Sequence, residues 1–304
     1  MLQMINSKEN LYGDNIAKVE QYDFSRANSS DEARTLAITS VAVICTQKFE
    51  SIGSEKLCTK LLTEAHGIPS SAYGFVPVLL TKEQSTDIVR RKCMGAIKSF
   101  VNIVRFGELI EDEKYVLTNL RALVNDIGLE ASKEFYNTDE NEIAIIKKHF
   151  KVFKHKMDIR SARQFMRHST AVWQELSRRY VSGKKVPFDF YISDKIKDKE
   201  SEFDDYFMDG MSGYETDFAN TKNTQKILKI LANHYDFLIE DGVKPQDARD
   251  ILPLCTYTEI WSGWQPFALE NMLTERTAIG TQWELRQTAL AIKELINENK
   301  QDKS

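Results

Sequence analysis

Arg163, Arg167, Arg178 and Arg179 crowd the stretch 163–180, together with Gln164, His168, Ser169, Glu175 and Ser177. A guanidinium is planar and permanently charged, and its forked donors match the oxygen pairs of phosphates and carboxylates. Ile159, Ala162, Phe165 and Met166 recur at helical spacing just before the cluster. That spacing predicts a helix anchored by its apolar face and delivering the arginines at its end. The chain as a whole is mildly acidic, with 41 Lys+Arg against 45 Asp+Glu and a net charge of −4. A local basic cluster in such a chain fits a small anionic ligand better than a nucleic acid or an anionic membrane surface. Taken alone, an arginine-rich helix end is also what a solvated, salt-bridged surface looks like. His168 alone reads equally as a hydrogen-bonded structural histidine. Ser177 reads as a phosphate donor more than a nucleophile, because no histidine–carboxylate pair is placed to activate it.

The elements that must position these groups belong to a chain of 304 residues, 42% apolar and 28% charged. That length and composition fit one large domain or two modest ones with a real core. Cys45, Cys58, Cys93 and Cys255 form no metal-ligand pattern, and the simple reading is a reduced intracellular protein with no metal. Residues 1–23 lack the apolar core of a signal peptide, and no apolar run approaches the roughly 18 residues that span a bilayer. A cytoplasmic protein without membrane contact is expected.

Residues 1–30 are polar and weakly periodic, as an extended or loosely attached arm would be. Helices are predicted at about 31–48, 54–66 (Ser54 as cap) and 81–106, and Phe75–Leu80 reads as a strand. Thr118-Asn119-Leu120-Arg121 opens a short helix, and His149–Met157 is a candidate strand leading into the arginines. Pro187–Ile192 looks extended, and 194–219 reads as an acidic, mobile loop. Helices follow at about 221–240, after Pro245, and at 266–275 and 281–298. With no repeat and no linker, the fold class is α+β. A central twisted, mainly antiparallel sheet with surrounding helices would form one domain over 31–304.

Residues 167–179 resemble the signature R-H-R-x-x-S-x-N-E-x-S-x-R of the flavin-dependent (alternative) thymidylate synthase family. Arg167, His168, Glu175, Ser177 and Arg179 fit, while Ser169, Val172 and Gln174 depart. A second block, Ala248-Arg249-Asp250-Ile251-Leu252-Pro253-Leu254 and then Thr256-Tyr257-Thr258-Glu259, resembles that family's A-R-x-x-L-P-L-x-x-Y-T segment. Arg276 and Gln282-Trp283-Glu284 follow at the expected distances. The Thr118–Arg121 element resembles a segment of one long-insert branch. The resemblance covers about 110–298.

The resemblance implies reductive methylation of dUMP to dTMP. Methylene-tetrahydrofolate would give the one-carbon unit, and NADPH the electrons through FAD. It places Gln164, Glu175, Ser177, Arg178, Arg179 and Arg249 around the nucleotide. Arg276 would lie against the pyrimidine as the catalytic residue, stabilising the anionic ring whose C-5 carbon attacks. Arg167, His168, Ser169, Glu175 and Asn271 fall at flavin-contacting positions. Ser169 stands where the family has arginine, and Gln265 and Phe267 replace its asparagine-x-arginine flavin segment; Asn119 and Arg121 would compensate. The family assembles its sites across a homotetramer. Its Glu-His pair on the donor side has no counterpart in His66–Phe75. Methylation or hydroxymethylation of another pyrimidine nucleotide (dCMP or UMP) therefore stays open, as does a non-catalytic nucleotide binder.

Overall fold

The structure is a computed structural model that describes residues 3–63, 70–95, 101–201 and 224–301. Its strands are β1 (Gln3–Lys8), β2 (Lys18–Asp23), β3 (Pro77–Thr81), β4 (Glu108–Ile110), β5 (Tyr115–Asn119), β6 (Lys151–Asp158), β7 (Val172–Glu175) and β8 (Tyr257–Trp264). They form a five-stranded sheet in the order β1-β2-β6-β8-β7 and a three-stranded sheet in the order β3-β5-β4. Every pairing is antiparallel. The α+β reading holds.

The helices in the first half are α1 (Asp31–Ala42), α2 (Glu55–Thr63), α3 (Lys82–Gly95), α4 (Asn102–Arg105), α5 (Leu120–Ile127), α6 (Leu129–Ser132) and α7 (Glu140–His149). Those in the second half are α8 (Ile159–Phe165), α9 (Asp194–Ser201), α10 (Thr224–Glu240), α11 (Pro245–Ala248), α12 (Pro266–Thr277) and α13 (Trp283–Gln301). Local chemistry sets their starts. Ser30, Asn119, Asp139 and Asp158 cap α1, α5, α7 and α8 by accepting backbone N–H groups. Pro245 and Pro266 open α11 and α12 at positions where no N–H is needed. The predicted 31–48 helix gives way to a tighter turn at Val43–Cys45. The predicted 54–66 helix is α2, and its last residues lie outside the described ones. The predicted 81–106 helix is represented by α3 and α4, with 96–100 outside the described residues. Of the 194–219 stretch read as a loop, Asp194–Ser201 is helical and the remainder lies outside them as well.

Successive side chains on a strand face opposite ways, so the large sheet carries a core on each side. Val152 and Trp261 join one core with α1, β3, β5 and α5, whose buried residues include Ile38, Leu80 and Leu117. Phe153, Met157, Ile260 and Trp264 join the other, with Phe165 of α8, Met272 of α12, and Leu285 and Ile292 of α13.

The arm expected over 1–30 is, across its described residues, part of this framework. β2 lies between β1 and β6, and Val19 is fully buried. Tyr12 packs under α13, its hydroxyl 3.2 Å from Thr288 Oγ1. Just beyond, buried Arg34 donates to Asn28 Oδ1, Ser132 Oγ and the Ser132 carbonyl, and lies 4.1 Å over the Tyr136 ring. Lys18, Glu20 and Gln21 give β2 a polar composition because Lys18 and Glu20 pair along its wetter side.

The edge strand β7 is locked against β8 by missing side chains. A Cβ on Gly263 would lie 2.5 Å from Val172 Cγ2 and 3.3 Å from Phe75 and Phe150, and one on Gly74 would lie 2.5 Å from Val172 Cγ1. Val172 thus occupies the space left by two glycines. Gly263→Ala should lower unfolding free energy by about 1–3 kcal/mol in urea titrations through overpacking. Adding Val172→Ala should recover part of the loss; no recovery would mean the contact with Val172 is not the cause.

Candidate functional site

The stretch 163–180 is not one helix. α8 stops at Phe165, because backbone N–H groups of Arg167 and His168 turn back to Gln164 and Phe165 carbonyls. Val172-Trp173-Gln174-Glu175 then pairs with β8 as a strand. The arginines therefore occupy a helix end, a turn, and a second turn beyond β7. Strand alternation sorts the motif. Gln174 faces the core with α1, where it accepts the Ser71 hydroxyl and donates to Cys45 Sγ at 2.6 Å. Val172 packs on the same side. Trp173 and Glu175 face the other way. Two of the three departures from the family signature are thus packing positions, and only exposed Ser169 lies in the arginine-bearing turn.

Two clusters form. In the first, Arg276, in the last turn of α12, donates from Nε to His168 Nε2 at 2.9 Å. Glu275 lies 3.7 Å from Arg276 Nη2 and 3.8 Å from His168 Nε2, and Asn271 Nδ2 donates to Glu275 at 3.3 Å. His168 is buried at 6% exposure beneath Phe165 and Trp264, and its carbonyl accepts from Trp173 Nε1. Burial and then the Arg276 charge pull its pKa below the usual imidazole value, with Glu275 opposing. Arg163, Arg167 and Ser169 are exposed beside this buried pair in sequence.

In the second cluster, Arg179 and Arg249, separated by a long stretch of chain, both converge on Gln246. Arg179 Nε donates to its side-chain oxygen at 3.3 Å and Arg249 Nε to its carbonyl at 3.1 Å. Both arginines are exposed. With each Nε engaged, Gln246 fixes two cationic forks near one another, the geometry that captures a phosphate. Ser177 sits in the turn just before Arg179, its carbonyl accepting from Tyr180 and Val181.

Other predicted residues have their own settings. Glu175 is raised above the ordinary carboxylate range by burial, against the Thr258 hydroxyl and the Arg163 charge. Gln164 bonds Gln282, which in turn donates to Glu284. Arg178 is not brought to Arg179 and Arg249: it is buried, donates to the Val186 and Pro187 carbonyls, and lies 4.5 Å over Phe188. Those donors hold the 186–188 segment. Asn119 spends its Oδ1 on the Ala122 N–H as the cap of α5, while half-buried Arg121 follows it. Gln265 ties the small sheet to β8 by donating to the Phe106 and Leu117 carbonyls. The Phe267 N–H caps onto the Glu108 carboxylate.

Gln246 and Glu275 were not singled out from sequence. Each was within reach of a simple signal: Gln246 lies three residues before Arg249 in one helical turn, and Glu275 lies four after Asn271. A cavity of about 350 Å³, lined by Tyr22, Phe49, Lys154 and Trp261 among others, opens on the face of the large sheet that carries Trp261, and contains none of the residues of the two clusters.

The donor set suits a flavin dinucleotide. Exposed Arg163, Arg167 and Ser169 offer cationic and hydroxyl donors for a pyrophosphate, next to an aromatic wall of buried Phe165 and Trp264 and half-buried Trp173. Among the described residues, no helix is long and apolar enough to cross a membrane.

The chain is similar in sequence to known proteins. The "Flavin-dependent thymidylate synthase" of Aquifex aeolicus is 28% identical over 227 residues, 71% of this chain and 68% of that protein. A protein of the same name from Thermus thermophilus is 32% identical over 162 residues, 53% of this chain and 56% of that protein. That from Thermotoga neapolitana is 28% identical over 203 residues, 64% of this chain and 86% of that protein. The family model described as "Thymidylate synthase complementing protein" matches residues 145–299, just over half of the chain and a span holding both clusters. The chain belongs to the thymidylate synthase complementing protein family.

Proposed function

We propose that this protein is a flavin-dependent thymidylate synthase that reductively methylates dUMP at C-5. Methylene-tetrahydrofolate is the one-carbon donor and NADPH the reductant, giving dTMP, tetrahydrofolate and NADP⁺. The observation that carries the reading is the convergence of Arg179 and Arg249 on Gln246, with the His168–Arg276 pair at the other end of β7. Family membership supports the same chemistry.

Arg179, Arg249 and Ser177 hold the nucleotide phosphate through charge-assisted hydrogen bonds. Gln164 and Glu175 contact the nucleoside, and burial raises the Glu175 pKa above its ordinary value. Arg276 places a fixed positive charge at the pyrimidine, where negative charge develops as C-5 becomes nucleophilic. Arg167, His168, Ser169 and Asn271 would hold FAD, with Asn119 and Arg121 as its further neighbours. When bound, FAD carries reducing equivalents from NADPH to the methylene group. By its resemblance to the family, the enzyme is a cytoplasmic homotetramer whose sites are shared between subunits.

Purified protein supplied with FAD, NADPH and methylene-tetrahydrofolate should convert dUMP to dTMP and leave dCMP and UMP unchanged. Product from dCMP or UMP without dTMP would assign a different pyrimidine. A colourless protein that binds dUMP and cannot be reconstituted with FAD would assign a non-catalytic binder.

A further inference from the structure

We infer that His168 is the positioning residue of Arg276, a neutral imidazole that sets the guanidinium plane by accepting its Nε–H. The inference rests on the proposed role of Arg276 at the pyrimidine. An arginine has donors only, so the 2.9 Å contact requires a lone pair on His168 Nε2. The imidazole proton must then sit on Nδ1. With Nε held, Arg276 keeps both Nη groups for other acceptors, and its rotation about the Cδ–Nε bond is stopped. Bidentate recognition depends on that orientation, as a mobile point charge does not.

The same bond carries a switch. A protonated imidazole has no lone pair on Nε2 and cannot accept from Arg276. Glu275, 3.8 Å from the same nitrogen and 3.7 Å from Arg276 Nη2, is the acceptor placed to take a doubly protonated His168. The charged groups facing the imidazole are Arg276 and Glu275, both from α12. From α8 and β8 come the rings of Phe165 and Trp264, and from β7 the Trp173 indole N–H, which binds the His168 carbonyl rather than its ring. Burial and the Arg276 charge both disfavour protonation, so the neutral state prevails at neutral pH. Because the folded pKa is depressed, Arg276 stays positioned through the ordinary imidazole range and is released only at more acidic pH. Glu275 thereby sets how far the acid limb reaches: removing its charge should extend positioning to lower pH.

The test combines nitrogen-15 NMR of histidine-labelled protein with dUMP titrations at a series of pH values. The unmodified protein should show His168 as the Nδ1–H tautomer, with dUMP affinity falling as that imidazole protonates. Glu275→Gln should move the fall to lower pH. His168→Leu, which has no acceptor, should weaken dUMP by about 10- to 100-fold. His168→Gln, whose side-chain oxygen can accept from Arg276, should recover much of that loss and abolish the acid limb. The tautomer reading needs no variant, so it stands even if His168→Leu fails to fold. An Nε2–H tautomer, or an acid limb that persists in His168→Gln, overturns the positioning role. Arg276→Gln separates the two levels: if it leaves dUMP affinity and turnover unchanged, the placement of Arg276 at the pyrimidine falls, whatever His168 does.

Discussion

Arg276→Leu should cut dTMP formation by about 10²–10³-fold, the loss typical of removing one preorganised charge from a transition state. The mechanism sets the pattern as well as the size. Positive charge against the pyrimidine helps bind the nucleotide and matters more as the ring becomes anionic, so kcat should fall and kcat/KM should fall further, by the added loss of dUMP affinity. Arg276→Lys restores charge but not the fork, and it also removes the Nε–H that His168 accepts. It should therefore recover only a minor part of the rate. Steady-state kinetics on both variants check this; a Leu variant within about fivefold of the parent would exclude an electrostatic role of that size.

Trp264→Ala should lower unfolding free energy by about 3–5 kcal/mol, the range for emptying a large aromatic site in a core. Trp264 is fully buried. Its ring lies 5.5 Å from Phe165, 5.1 Å from Trp173 and 6.0 Å from His168. Its Nε1 donates to Ser262 Oγ at 2.8 Å. The same hydroxyl is hydrogen-bonded to His155 Nε2, 2.7 Å away. His155 is held neutral by burial, with its pKa pushed down to about 3. Removing the indole thus opens a void behind the wall of the His168 cluster and loosens a buried polar chain. Denaturant titration should show the loss, and nucleotide binding should weaken with it. Trp264→Phe, which keeps most of the volume, should lose less than half as much; an equal loss would place the cost in the Ser262 hydrogen bond instead of packing.

The sequence made some of this legible for physical reasons. Helices α10, α12 and α13 carry strong apolar periodicity or a proline start, and β6 alternates around Phe153 and Met157, so they could be placed from pattern. β1 and β2 could not, because their core contribution is concentrated in single residues such as Val19 among charged neighbours. β7 was hidden inside a stretch whose helical lead-in ends at Phe165, and β8 was hidden because a strand buried on both faces reads as aromatic rather than alternating. That Arg179 and Arg249 belong together was implied by the family resemblance alone, and the fold brings both to Gln246. Their shared partner, Gln246, was not legible, because a neutral side chain gives no charge pattern to read. Arg178 shows the converse. Nothing in composition separates it from Arg179, and only the fold turns one inward to the Val186 and Pro187 carbonyls and the other outward.

The central claim is that a pyrimidine nucleotide and a flavin meet at these clusters. The most direct measurement is a dUMP titration of FAD-loaded protein followed by the flavin's visible absorbance, in the parent and in the Arg179→Ala/Arg249→Ala pair. A saturable spectral change in the parent, shifted to at least about tenfold higher dUMP in the pair, is the predicted result. A flavin that binds but does not respond to dUMP, or a response the pair leaves untouched, would contradict it.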